Sequence, residues 1–327
     1  MKLQAPRIGV VLSSGGVRGV YAHTGFLLAL ERFGIEISAA VGCSAGAVVG
    51  AVAASGADLH AWADTIAMID RRRFWTSDPL PVLLWRILAQ RGRGYTGLSG
   101  TEAAVAFCRS QVAVTTFEAC RYPFSILAVN LTRSEEVIFS TGELGPRMAA
   151  SAAVPLWYRP VEVDGELYCD GAVVDLAPAN AICCHHGLDA VLIHYVAARP
   201  KGPETVARLR QRPWAMLEIL DRALLARRPW YLSDQPLTFH RCPCVCGAGV
   251  IVIEPELSEL RWPMTAGGPE VQAEAMAQTE ALLGPHLDAL RSDPRRRLPN
   301  PARTSVNPTS SPVSAPGCGS PEKEKRR

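Results

Sequence analysis

The residues best suited to covalent chemistry sit in Gly42-Cys43-Ser44-Ala45-Gly46. A G-x-S-x-G between a strand and a helix places its serine on a sharp turn, with the hydroxyl presented and the following N–H facing a developing oxyanion. Ser44 is therefore a candidate nucleophile and Ala45 a candidate oxyanion donor. Gly42 and Gly46 let strand and helix approach closely. Cys43 points to the opposite side of its strand and reads as a small buried residue. A second segment, Ser13-Ser14-Gly15-Gly16-Val17-Arg18-Gly19, sets successive backbone N–H groups at a helix N-terminus, where a phosphate or an oxyanion is well held. A tight strand-to-helix turn explains the same residues. The third is Asp170-Gly171-Ala172, a carboxylate in a loop. By itself an Asp-Gly pair is most often just a turn.

The elements around these segments follow from periodicity. Arg7 to Leu12 reads as a short buried strand, and the helical spacing from Gly19 to Phe33 as a helix closed by Gly34. Ile37 to Gly42 reads as a second buried strand and Ala45 to Ala54 as a second helix. Residues 37–57 carry no charge, yet Ala, Gly, Ser and Val gain little from hydrocarbon. A buried strand and helix explain that run better than a membrane span. Further helices are expected over 58–70 and 80–90, and a strand over Phe124 to Leu131. A hairpin from Val161 to Cys169 should turn at Asp164-Gly165. Later strands are expected over Val191 to Val196 and Val250 to Glu254. Strands alternating with helices predict an α/β fold with a mostly parallel sheet covered on both faces.

The chain has 327 residues and a net charge of +3, too weak to argue nucleic-acid binding. Arg291 to Arg327 holds nine basic and three acidic residues, which leaves residues 1–290 at −3. The basic character belongs to the Pro/Ser/Arg-rich ending, whose apolar periodicity vanishes; residues 1–292 are expected to form the domain and 293–327 a disordered tail. Ten cysteines lack the paired spacing of a disulfide framework, and the N-terminus offers only Ile8 to Leu12 as a continuous apolar run. Both point to a reducing, cytoplasmic compartment.

Taken together, the three segments resemble the patatin-like phospholipase family, over about Arg7 to Cys183. That family's blocks are G-G-G-x-R-G, G-x-S-x-G and D-G-[GA]. They stand here in order as Ser14-Gly15-Gly16-Val17-Arg18-Gly19, Gly42 to Gly46 and Asp170-Gly171-Ala172, with the small-residue run Ala149 to Pro155 before the aspartate. The resemblance implies a three-layer α/β/α fold and a lipid acyl hydrolase of phospholipase A, lysophospholipase or esterase type, with no cofactor. It implies a Ser44–Asp170 dyad, an oxyanion hole from Gly15, Gly16, Val17 and Ala45, and Gly19, Gly42, Gly46 and Gly171 as motif glycines. Arg18 would either hold the loop or attract a lipid phosphate. Two departures are Ser14 in place of the loop's first glycine, and the bulky Leu156-Trp157-Tyr158 after the proline. They motivate an alternative, a catalytically weak lipid-binding or regulatory protein that keeps the fold.

Rival chemistries are weaker. A Ser-His-Asp triad in an α/β-hydrolase needs one of His185, His186, His194, His240 or His286, but that fold spends several strands before its elbow. His185-His186 reads as a helix end. A dinucleotide site finds Ser14 where its first glycine belongs. Cys242-Pro243-Cys244-Val245-Cys246 invites a metal, yet zinc ligands are usually spaced by two to four residues. Cys183-Cys184 complete a set only if the fold brings them near, so no metal is expected there. Arg71-Arg72-Arg73-Phe74-Trp75 and Arg227-Arg228-Pro229-Trp230-Tyr231 pair basic groups with aromatics, as peripheral membrane contacts do. Each also fits a solvated helix end.

Overall fold

The computed structural model describes residues 5–196, 229, 231–232, 235–242, 246–261 and 265–299. The chain runs β1 (Ile8–Leu12), α1 (Gly16–Arg32), β2 (Ile37–Cys43) and α2 (Ala45–Ser55), then helices α3 (Leu59–Ala67) and α4 (Leu80–Leu88). Next come β3 (Gly97–Ser99), α5 (Glu102–Gln111), β4 (Phe124–Asn130), β5 (Glu135–Phe139) and α6 (Leu144–Ser151). Strands β6 (Leu156–Tyr158), β7 (Val161–Val163), β8 (Glu166–Asp170), β9 (Ala190–His194), β10 (Leu237–Arg241) and β11 (Gly249–Ile253) follow. Helices α7 (Gly268–Leu283), α8 (Leu287–Ser292) and α9 (Pro294–Arg297) complete the described chain.

Every residue of β1, β9 and β11 is buried, as strands covered on both faces must be. The pairs β9–β11, β1–β9, β1–β2 and β2–β4 are parallel, while β10–β11, β4–β5, β4–β8 and β7–β8 are antiparallel. The sheet is thus parallel at its centre and antiparallel at its margins. Alternate residues feed two cores. Val10, Leu12, Ala40 and Ile126 join one with α1, α2, α6 and α7. Val11, Val41, Cys43 and Leu127 join the other with Leu176, Ile182 and Leu188. Among the described residues, that second face is covered by turns rather than long helices.

The register of β4 matters most for the site. Ile126 and Leu127 pair with both β2 and β5, so these two strands lie on opposite edges of β4. Ala128, Val129 and Asn130 pair with both β5 and β8, which puts β8 on the edge that β2 occupies. The strands β2 and β8 therefore run toward one another along a single edge. Cys43 ends beside Leu127, and Asp170 ends beside Ala128. Their C-terminal ends meet head-on.

Sequence-based boundaries hold within a few residues, with three informative differences. Helix α1 begins at Gly16 rather than Gly19, because the glycine loop itself forms its first turn. His185 and His186 lie in a turn after the 3-10 helix Ala179–Ala181 instead of ending a longer helix. Packing also continues past residue 292: Arg295 pairs with Asp189 at 2.8 Å, and Leu298 is buried in the first core. The expected tail from residue 300 onward and the segment 227–228 with Trp230 lie outside the described residues.

Candidate active site

Two short helical beginnings and two strand ends converge here. Ser44 leaves β2 with φ 54° and ψ −117°, a strained conformation for a residue with a side chain. The strain is sustained by close packing. A Cβ on Gly46 would overlap the Leu12 carbonyl, so only glycine lets α2 ride directly on β1. The Ser44 N–H donates to Ser151 Oγ at 2.9 Å, and Ser151 Oγ donates to the Leu127 carbonyl at 2.6 Å. Ser151 thereby fills the gap in the ladder where β2 and β8 both end.

Ser44, 3% exposed, donates its hydroxyl to Asp170 Oδ2 at 2.6 Å. The other carboxylate oxygen accepts the Ala172 N–H at 2.8 Å and lies 3.9 Å from Cys43 Sγ. Asp170 is only 1% exposed. Its burial raises the carboxyl pKa from 3.8 to about 7, although hydrogen bonds from Ser44, Ala172 and Cys43 pull the other way. Burial, reinforced by the Asp170 charge, pushes the Cys43 thiol well above its ordinary value. Cys43 stays a neutral packing residue.

The glycine loop faces this pair. Gly16 has φ +58°, with open space where a Cβ would stand; the left-handed backbone alone favours glycine there. Gly16 and Val17 open α1 and Ala45 opens α2, so their N–H groups precede the first intrahelical bonds. Gly15, Gly16, Val17, Ser44, Ala45 and Asp170 all line one cavity of about 430 Å³. The rest of its wall is mainly apolar, including Val48, Trp62, Ile66, Phe107 and Trp157. Ser14 donates its N–H to the Leu176 carbonyl at 2.7 Å. Serine in place of the first loop glycine thus falls at a residue whose N–H is already engaged. Arg18 is not among the cavity-lining residues; burial lowers its pKa and the Glu259 charge partly restores it.

Sequence reasoning missed the support beneath the loop. The Ser13 carbonyl accepts the Gly46 N–H at 3.2 Å and His23 Nε2 at 2.7 Å. Since a carbonyl only accepts, Nε2 of His23 carries the proton. Its Nδ1 must then accept from His194 Nδ1, 2.8 Å away. Burial drops His23 to about 4 and His194 well below its usual value, so both are neutral props. Neither residue carries a motif, and only the fold brings them together. Ser151 lay inside the small-residue run, yet its type gave no sign of its role.

The histidines do not complete a triad. Ser44 Oγ and Asp170 Oδ2 touch, leaving no room for an imidazole between them. His194 is engaged with His23, His240 lies by Thr238, and His286 packs on Phe239.

Comparison with known proteins decides the family. The patatin-like phospholipase profile matches residues 10–182, more than half of the chain. The chain belongs to the patatin-like phospholipase family. This patatin-like protein is 31% identical over 218 residues to an uncharacterised NTE family protein of Mycobacterium tuberculosis, covering 67% of this chain and 56% of that one. It therefore spans little more than half the length of that relative. It is 30% identical over 181 residues to lysophospholipase NTE1 of Cryptococcus neoformans, covering 55% of this chain and 11% of that one. Human GIVD cytosolic phospholipase A2 shares the fold, with a TM-score of 0.51 and 13% identity over 89% of this chain and 63% of that one. No described helix is long and apolar enough to cross a membrane.

Proposed function

We propose that this protein is a serine hydrolase of lipid carboxylic esters, working through a Ser44–Asp170 dyad and an acyl-enzyme. The observation that carries this reading is the 2.6 Å hydrogen bond from Ser44 Oγ to Asp170 Oδ2 at the base of an apolar cavity. A carboxylate of ordinary pKa is a poor base for an alcohol. Desolvation narrows the mismatch by raising Asp170 to about 7, near the working pH that general-base catalysis favours. Ser44 Oγ attacks the ester carbon while its proton moves to Asp170. The carbonyl oxygen becomes an oxyanion held by N–H groups of Gly15, Gly16, Val17 and Ala45. Each such donor is worth about 3 kcal/mol in other hydrolases. Collapse expels the alcohol, which takes the proton from Asp170. Water then cleaves the acyl-Ser44 ester with Asp170 again as base.

The apolar wall suits an acyl chain, with Trp157 at 43% exposure as the residue lying between cavity and solvent. The names of the relatives, a lysophospholipase and a cytosolic phospholipase A2, favour glycerophospholipid or lysophospholipid esters. Substrate arrives from a lipid surface. Met68, Leu84, Trp85 and Leu88, on α4 or just after α3, are exposed apolar residues, flanking in sequence the cavity residues Ile69, Phe74 and Trp75. Arg71 stacks over the Trp75 ring at 5.3 Å, a pairing suited to an anionic interface.

The test is hydrolysis of a p-nitrophenyl acyl ester series and of lysophospholipid vesicles by the full chain, beside Ser44→Ala and Asp170→Asn. Loss of turnover in both folded variants is expected. Full activity in Asp170→Asn would overturn the dyad, and an inert wild type that binds vesicles would favour a lipid-binding role.

A further inference from the structure

At the other end of the sheet, away from Ser44, lies a group of cysteines that the hydrolase reading leaves unused. Cys183 and Cys184 occupy the turn before β9, while Cys242 and Cys246 bound the connection from β10 to β11. Gly249 and Ala190 share a register row with Ile8, at the N-terminal end of the parallel strands. Ser44 follows their C-terminal end. The sequence separates these cysteines by about sixty residues, and the fold joins them. Cys183 Sγ lies 3.7 Å from Cys184 Sγ, 3.8 Å from Cys246 Sγ and 2.6 Å from Cys242 Sγ. The sulfurs of Cys183, Cys184 and Cys246 all lie within 4.8 Å of one another.

We infer that Cys183, Cys184, Cys242 and Cys246 form a four-thiolate site for a structural zinc ion. Four sulfurs about 2.3 Å from a zinc at tetrahedral angles stand about 3.8 Å apart. Two of the three Cys183 separations already match that edge. The third, to Cys242, is shorter, and Cys242 stands outside the group whose sulfurs all lie within 4.8 Å of one another, so loading shifts this side chain into the fourth corner. The spacing objection raised by Cys242-Pro243-Cys244-Val245-Cys246 falls away once Cys244 is left out. Cys242 and Cys246 are then separated by three residues, within the usual range for paired zinc ligands. Soft sulfur donors favour zinc over magnesium or calcium.

The surroundings agree. Cys183 and Cys242 are buried, and Cys184 and Cys246 are half-buried, so the site is closed as structural zinc sites are. The Cys242 N–H is tied to the Ala248 carbonyl at 2.9 Å. The Arg295 guanidinium binds the Cys246 carbonyl at 2.9 Å, the Leu188 carbonyl at 2.9 Å and Asp189 at 2.8 Å. It thereby places a positive charge beside what becomes a dianionic centre. Binding is balanced as Zn²⁺ plus four thiols giving one tetrathiolate complex and four protons, with no electron transfer. The metal pins the β10–β11 connection onto the turn before β9.

The experiment is metal analysis and cobalt substitution of the full reduced chain, with Cys183→Ser, Cys246→Ser and, as a control remote in sequence, Cys120→Ser. About one zinc per chain is expected, retained by Cys120→Ser and falling about tenfold or more in the other two. Cobalt should give intense visible bands and thiolate charge transfer, and zinc should protect four thiols of the wild type from alkylation. These wild-type readouts stand even where a variant fails to fold. A reduced wild type that takes up no stoichiometric zinc, or whose cobalt form lacks thiolate charge transfer, overturns the site. So does a native Cys183–Cys242 disulfide that persists when the chain is purified with zinc.

Discussion

Replacing Asp170 with asparagine should make the protein inactive and more stable, with a gain that grows with pH. The folded carboxyl holds its proton up to about pH 7, because burial raises it from 3.8. The unfolded carboxyl releases its proton near the ordinary value. Between these values the folded state carries one more proton than the unfolded state, so wild-type stability falls as pH rises. The stability linked to this group is complete below about pH 3.8, declines through the window and levels off above about pH 7. About three pK units at 1.36 kcal/mol each give roughly 4 kcal/mol at pH 8, and roughly 1.5 kcal/mol at pH 5. The substituted amide keeps an oxygen for the Ala172 N–H and turns its NH₂ toward Ser44 Oγ, so the local hydrogen bonds survive. Urea unfolding of both proteins from pH 5 to 8, beside their esterase activity, measures the difference. A gap that stays constant with pH, or that closes as pH rises, would refute the claim that Asp170 is held ionised against a desolvation cost.

Three further outcomes follow from the same geometry. Wild-type kcat/KM should rise about tenfold per pH unit below 7 and flatten above it, because only ionised Asp170 accepts the Ser44 proton; a profile flat from pH 5 to 8 would remove that role. Ser151→Ala strips partners from both the Ser44 N–H and the Leu127 carbonyl. It should cost about 1–3 kcal/mol in urea unfolding and lower kcat more than it raises KM; unchanged kcat would make Ser151 irrelevant to the elbow. Trp157→Ala should shift the preferred p-nitrophenyl ester toward longer acyl chains, and an unaltered chain-length profile would place the acyl group elsewhere.

The elbow, the glycine loop and the aspartate were legible because each depends on residue types that local backbone geometry demands. Gly46 and Gly16 stand where a helix crosses a strand and where φ is positive, and such needs leave a mark in sequence. The strand-helix alternation was legible for a similar reason: β1 and β2 are uninterrupted small or apolar runs, and β9 is apolar up to its last residue, His194. Tertiary partners left no such mark. Nothing in the spacing of His23 and His194 distinguishes a neutral prop from a surface residue, since their bond crosses 171 positions. The same holds for Cys183 beside Cys242. Arg295 and Leu298 were assigned to the tail because composition averages over a window, whereas one ion pair and one buried leucine decide where packing stops.

The head-on meeting of β2 and β8 makes β4 a ruler for the proposed Ser44–Asp170 pair. Cys43 and Asp170 sit against the consecutive residues Leu127 and Ala128, so their separation is counted in rungs of one strand. The connections that join β2 to β4 and β4 to β8 play no part in that count. Insertions at the turns of these connections should therefore be tolerated without moving Ser44 from Asp170. A one-residue slip of β8 along β4 is different: it would send the carboxylate to the opposite face of the sheet. The product would be a folded protein with every motif present and no working centre.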